Sequence, residues 1–170
     1  MNGRKGTFQG NQGEEKEFCM FRATLIPMVL ALAAAGLASA QPKRSDSVVK
    51  AEAKAAKPDH AGKQTVTVTL KIDDGWHLYA NPVPKDFPGI PVTVDVDAKV
   101  KPEVKVDYPA GKEVKDAMFG NYRVYEKNAV IKVDVKRAKG DDSPLNLNIK
   151  VQTCNDRTCL APGVIKLKVQ

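Results

Sequence analysis

The sequence predicts an all-β fold, an antiparallel immunoglobulin-like β-sandwich of about seven or eight strands. Three observations carry that prediction. Between residues 64 and 170 apolar side chains recur at every second position, clusters of turn-forming residues separate the runs, and no stretch keeps a helical period for a useful length. The chain has 170 residues, of which 42% are hydrophobic. That is long enough for one domain with a real core, and too apolar for wholesale disorder.

The strands follow in order. Val66, Val68, Leu70 and Ile72 alternate with Thr65, Thr67, Thr69 and Lys71, which describes a strand with one face in a core and one in water. The same alternation returns in Val92, Val94 and Val96, and in Val104, Val106 and Tyr108. It returns again in Ile131, Val133 and Val135, in Leu145, Leu147, Ile149 and Val151, and in Ile165, Leu167 and Val169. Asp73-Asp74-Gly75, Pro109-Ala110-Gly111, Glu126-Lys127-Asn128, Lys139-Gly140-Asp141-Asp142 and Ala161-Pro162-Gly163 supply the turns. The formal net charge is +7. Its lysines are spread along the water-facing sides of strands, where they discourage edge-to-edge pairing. No basic groove interleaved with aromatics is visible, so nucleic acid is not an expected partner.

Ahead of this region the chain reads as a leader and a spacer. Leu25 to Leu37 is apolar and uncharged, but shorter than the roughly 20 residues a membrane-spanning helix needs. Arg22 precedes it and Ala38-Ser39-Ala40 follows, the layout of a secretory signal peptide cleaved near Ala40. Residues 1–19 then read as a mis-assigned extension, 20–40 as the signal peptide, 41–63 as a flexible Lys/Ala-rich linker, and 64–170 as the folded domain. The expected location is the periplasm or another exported setting, with no stable membrane anchor. Lys16-Glu17-Phe18 ahead of Cys19 is not a lipobox. Cleavage removes Cys19 and leaves Cys154 and Cys159 in an oxidising compartment, where a disulfide is the default state.

Three segments have side chains suited to chemistry. In Cys154-Asn155-Asp156-Arg157-Thr158-Cys159 the sulfurs lie between two strands, within reach of a disulfide. Such a bond is either a redox site or a structural staple. A loop this short stabilises by only about 2 kcal/mol in the chain-entropy account, which favours the redox reading. A zinc site is not expected, because neither His60 nor His77 has the required spacing, and no Met or His enrichment supports copper. The second segment, Gly75 to Pro82, holds Trp76, His77 and Tyr79. Period two sends Trp76 and Leu78 to one face and His77 and Tyr79 to the other. One face is core, or one face lines the cysteine site. The third segment places Met118 and Phe119 between Asp116 and Gly120, an apolar hairpin tip that is either a plug or a mobile lid with Gly120 as hinge.

These segments, in this order, resemble the N-terminal periplasmic domain of the thiol:disulfide interchange protein DsbD family. The resemblance runs from about Gln64 to Gln170, and GWHLYANP and QTCNDRTCLAP are its most specific parts. It implies an immunoglobulin-like domain with a redox-active Cys154/Cys159 pair at one end and no cofactor. A cap formed by Asp116, Met118, Phe119 and Gly120 would cover the pair, and His77, Tyr79, Arg157 and Pro162 would flank it. The mixed disulfide would form on Cys159 and Cys154 would resolve it. Two details depart from the best-known members: the cysteine spacing is one residue shorter, and Met118-Phe119 stands where those members carry two aromatics. The expected partners are exported, thioredoxin-like thiol–disulfide proteins and a separate membrane electron donor, since the domain is read as free-standing. The alternative is a non-catalytic immunoglobulin-like binding module whose disulfide is only structural.

Overall fold

The computed structural model describes residues 42–170, so the expected extension (1–19) and signal peptide (20–40) lie outside the described residues. Within 42–170 there are eleven strands and no α-helix; the single helical piece is a 3-10 turn, Ser45–Ser47. The strand count exceeds the expected seven or eight because several short strands carry too few residues to show a period. No helix among the described residues is long and apolar enough to cross a membrane.

The first sheet has the order β1-β2-β8-β5, with β1 at Val49–Ala55, β2 at Lys63–Ile72, β8 at Asn128–Lys136 and β5 at Glu103–Asp107. The second has the order β11-β9-β4, with β11 at Gly163–Val169, β9 at Leu145–Val151 and β4 at Thr93–Asp97. All pairings between these strands are antiparallel. Burial alternates along β2, β8 and β9 as the sequence pattern requires. Val66, Val68 and Leu70 of β2 meet Ile131, Val133 and Val135 of β8 and Leu145, Leu147 and Ile149 of β9 in one buried cluster. Burying a side chain of this size contributes roughly 1.5–3 kcal/mol, so this cluster is the main source of stability.

Part of the expected linker is a strand. Val49–Ala55 pairs along its whole length with β2, from Val49 opposite Ile72 to Ala55 opposite Val66. The flexible-linker reading of 41–63 is therefore corrected. VKAEAKA is itself a period-two pattern, but its inward side chains beyond Val49 are alanines, too small to announce a buried face. The folded domain begins near Ser45, which is fully buried, instead of at Gln64.

A third sheet has the order β10-β3-β7-β6. Its strands are β10 at Thr153–Cys154, β3 at His77–Tyr79, β7 at Tyr122–Glu126 and β6 at Lys112–Val114. β10 continues the line of β9 after a break at Gln152. The inner face of this sheet sends Leu78 and Tyr125 into the main core. Its outer face carries the cysteines' neighbours.

Candidate functional site

Cys154 and Cys159 are bonded, with their Cα atoms 4.0 Å apart. They face each other as an antiparallel pair. The backbone explains this closeness. The Asn155 amide donates to the Thr158 carbonyl and the Leu160 amide donates to the Thr153 carbonyl, both at 2.9 Å. The cysteines are thus the non-hydrogen-bonded pair between two bonded ones, where opposed residues approach most closely, at about 4.5 Å.

The turn between them closes on itself. Asn155 Oδ1 accepts from the Arg157 amide at 2.9 Å and the Thr158 amide at 2.8 Å. This is the local turn chemistry that asparagine favours. The stem is fastened from outside by Ser45. Its hydroxyl accepts from the Thr153 amide and donates to the Ala161 carbonyl, each at 2.9 Å. The Ser45 amide also donates to Ala161, at 2.9 Å. Gly163 keeps the approach open, since a Cβ there would collide with Asp46.

The two sulfurs have different surroundings. Cys154 is 1% exposed, whereas Cys159 lies at the surface. His77 on β3 stands directly opposite Cys154, and Glu126 on β7 stands directly opposite His77. Burial holds the His77 imidazole below its ordinary pKa; Glu126 and Asp156 pull it upward and Lys112 pushes it down. Lys112 Nζ in turn meets both oxygens of Glu126, at 2.9 and 3.1 Å.

From His77 an aromatic wall runs across the outer face. The His77 and Tyr79 rings meet edge to face at 5.6 Å, and Tyr79 meets Phe87 at 4.9 Å. Phe87 continues to Tyr122 at 4.8 Å and to Phe119 at 6.1 Å. Burial, then Tyr122, raises the Tyr79 phenol. Gly89 lets the loop lie flat on this wall, because a Cβ there would strike the rings of Tyr79 and Phe87. The Ile90 amide ties the same loop to Gln152 Oε1, at 2.9 Å, beside the cysteine stem.

The residues singled out in the sequence distribute unevenly. Cys154, Cys159, His77 and Tyr79 form one continuous group. Period two resolves the GWHLYANP segment, with Leu78 in the core while His77 and Tyr79 face the site side. Arg157 is exposed at the hairpin turn, and Pro162 is exposed just before β11. Asp116 builds the loop between β6 and β7, its Oδ1 accepting from the Met118 and Phe119 amides at 2.8 Å. Gly120 has φ +75°, which glycine adopts without strain. Phe119 rests on Phe87, but Met118 projects away with 81% of its surface exposed. Sequence reasoning missed Ser45, Phe87 and Glu126, whereas Tyr122 lay within its third segment, Asp116 to Tyr125. Only Phe87 left a signal, a lone aromatic in the Pro- and Gly-rich run Pro82 to Pro91. A cleft of about 400 Å³ lined by Asn81, Tyr108, Tyr122 and Arg123 includes neither cysteine.

The family model for the thiol:disulfide interchange protein DsbD, N-terminal, matches residues 45–169. The chain belongs to the DsbD N-terminal family. Its match begins at Ser45, the residue that anchors the cysteine stem, and so takes in β1. No curated protein matches the chain. Among solved structures, the N-terminal periplasmic domain of ScsB from Proteus mirabilis is 19% identical with a TM-score of 0.56, covering 72% of this chain and 46% of that one. This likeness supports the sandwich architecture. The reduced DsbD N-terminal domain of Neisseria meningitidis is 20% identical with a TM-score of 0.48, covering 74% of this chain and 86% of that one. A complex of the DsbD and PilB N-terminal domains from the same organism is also similar, at 18% identity and a TM-score of 0.49, over 69% of this chain and 80% of that one.

Proposed function

We propose that this DsbD N-terminal family member is an exported thiol–disulfide exchange domain that passes reducing equivalents between protein partners through Cys154 and Cys159. The observation that carries this reading is the asymmetric pair: an exposed cysteine bonded to a buried one across a hairpin. An incoming thiolate reaches Cys159, and Cys154 leaves with the bonding electrons. In the forward half of the cycle the Cys159 thiolate attacks a partner's disulfide and Cys154 resolves the mixed disulfide. A purely structural bond fits the geometry less well. The flanking backbone bonds and Ser45 already hold the hairpin, and a loop this short adds only about 2 kcal/mol.

In this reading the wall of Tyr79, Phe87 and Phe119, which adjoins the pair through His77, would screen one side of it, with Asp116 and Gly120 shaping the loop that presents Phe119. The partners are exported thioredoxin-like proteins, supplied by a separate membrane electron donor. The family match and the leader expected at 20–40 both support a location in the periplasm.

A dithiol reductant at millimolar strength tests this function. The expected result is complete alkylation of both cysteines, read by mass, with the far-ultraviolet circular dichroism unchanged. A Cys154→Ser variant then accumulates mixed disulfides with exported proteins and a Cys159→Ser variant does not. A bond that opens only as the domain unfolds would overturn the proposal.

A further inference from the structure

Across the third sheet the order of side chains is buried sulfur, imidazole, carboxylate: Cys154, His77, Glu126. Directly opposed residues of antiparallel strands share a face, with Cβ atoms roughly 4.5–5.5 Å apart. Cys154 is 1% exposed, so bulk water does not reach its thiol, and burial disfavours the bare thiolate. Exchange nevertheless requires Cys154 to attack as a thiolate. We infer that His77, backed by Glu126, is the group that takes the Cys154 proton each time the pair re-forms its disulfide. This inference rests on the exchange function proposed above and deepens it.

The step balances as follows. A partner's sulfur is joined to Cys159 as a mixed disulfide. The Cys154 thiol gives its proton to an imidazole nitrogen of His77, and its sulfur forms a bond to the Cys159 sulfur. The bond between Cys159 and the partner breaks, and its electron pair leaves on the partner as a thiolate. The dithiol of this chain is oxidised and the partner's disulfide is reduced. In the opposite direction the imidazolium returns the proton to Cys154 as it leaves. The groups facing His77 are Glu126 on β7, Lys112 on β6, Asp156 in the hairpin turn and Tyr79 on its own strand. Burial holds the imidazole in its neutral form at neutral pH, which is the form that accepts a proton. Glu126 stabilises the imidazolium once formed.

Stopped-flow oxidation of the reduced chain carrying Cys19→Ser, so that Cys154 and Cys159 are its only thiols, by the aromatic disulfide dithiobis-nitrobenzoate separates the steps. Attack by Cys159 releases one chromophore at a rate proportional to probe concentration. Closure by Cys154 releases a second at a rate independent of it. In the wild type the second phase is expected to be level at neutral pH and to slow as pH falls through the imidazole titration. His77→Gln loses the level region and is slower at neutral pH by at least tenfold, since proton transfer by a placed side chain contributes roughly 10²–10⁴-fold. Glu126→Gln, a surface change, moves the inflection to lower pH and decides the matter alone where His77→Gln fails to fold. Profiles of both variants that overlay the wild type, with two chromophores released, would overturn the inference and leave the exchange function standing. A wild type that stays folded and releases only one chromophore removes both.

Discussion

Replacing Ser45 with alanine removes a hydroxyl that joins three parts of the chain. Ser45 is 0% exposed, and its oxygen is the acceptor for the Thr153 amide. In the Ser45→Ala variant that buried amide has no partner. Leaving a buried donor unsatisfied costs about 1–3 kcal/mol. The Ala161 carbonyl loses one donor but keeps the Ser45 amide, so it adds little. A loss of about 2 kcal/mol is therefore expected. With a urea m-value of about 2 kcal/mol/M, the unfolding midpoint falls by about 1 M. Urea unfolding of the oxidised protein, followed by circular dichroism, measures it. Ser47→Ala is the control, because the Ser47 hydroxyl donates only to the Arg44 carbonyl at an exposed turn. It should change stability by less than about 0.5 kcal/mol. A Ser45→Ala variant as stable as that control would refute the account of how the cysteine stem is anchored.

Gly89→Ala drives a methyl group into the rings of Tyr79 and Phe87, and overpacking of this kind costs roughly 1–3 kcal/mol. Thermal unfolding reads it, and near-ultraviolet circular dichroism is expected to report displaced aromatics. Phe87→Ala removes contacts to three other rings and is expected to cost about 2 kcal/mol, whereas Met118→Ala at an 81% exposed position should stay within about 0.5 kcal/mol. Equal effects in urea unfolding would contradict the placement of the two side chains. Tyr125, whose hydroxyl donates to the Pro109 carbonyl at 2.7 Å, has its pKa pushed up to about 12 by burial. Its folded pKa exceeds the unfolded value, so its contribution to stability is complete below about pH 10 and is lost as pH rises toward 12. Burial also raises Tyr79 and Tyr108, so tyrosinate absorbance should show several late ionisations, of which the last is absent in Tyr125→Phe.

The sandwich was legible because its long strands bury large aliphatic side chains on one face. β2, β8 and β9 each present alternating Val, Leu or Ile, and the pattern is strong enough to fix both element and face. β1 escaped because Ala51, Ala53 and Ala55 carry little apolar area, so its alternation resembled a soluble tract. β10 and β6 escaped because two or three residues contain no period. The cysteine pair and the His77–Tyr79 face were legible from residue type and order. Their supports were not. Ser45 lies more than a hundred positions from Thr153, and Glu126 meets His77 only through strand register. Such pairings belong to topology, which a local reading of residues does not contain.

The hydrogen bonds on either side of the sulfur pair do not involve sulfur, so opening the bond leaves the pairing of the hairpin in place. Under the proposed exchange function, partners would therefore meet the same contour in both states. Under that function the oxidised chain would compete with the reduced chain for each docking event, and throughput would depend on how far the supply of electrons keeps the reduced fraction ahead.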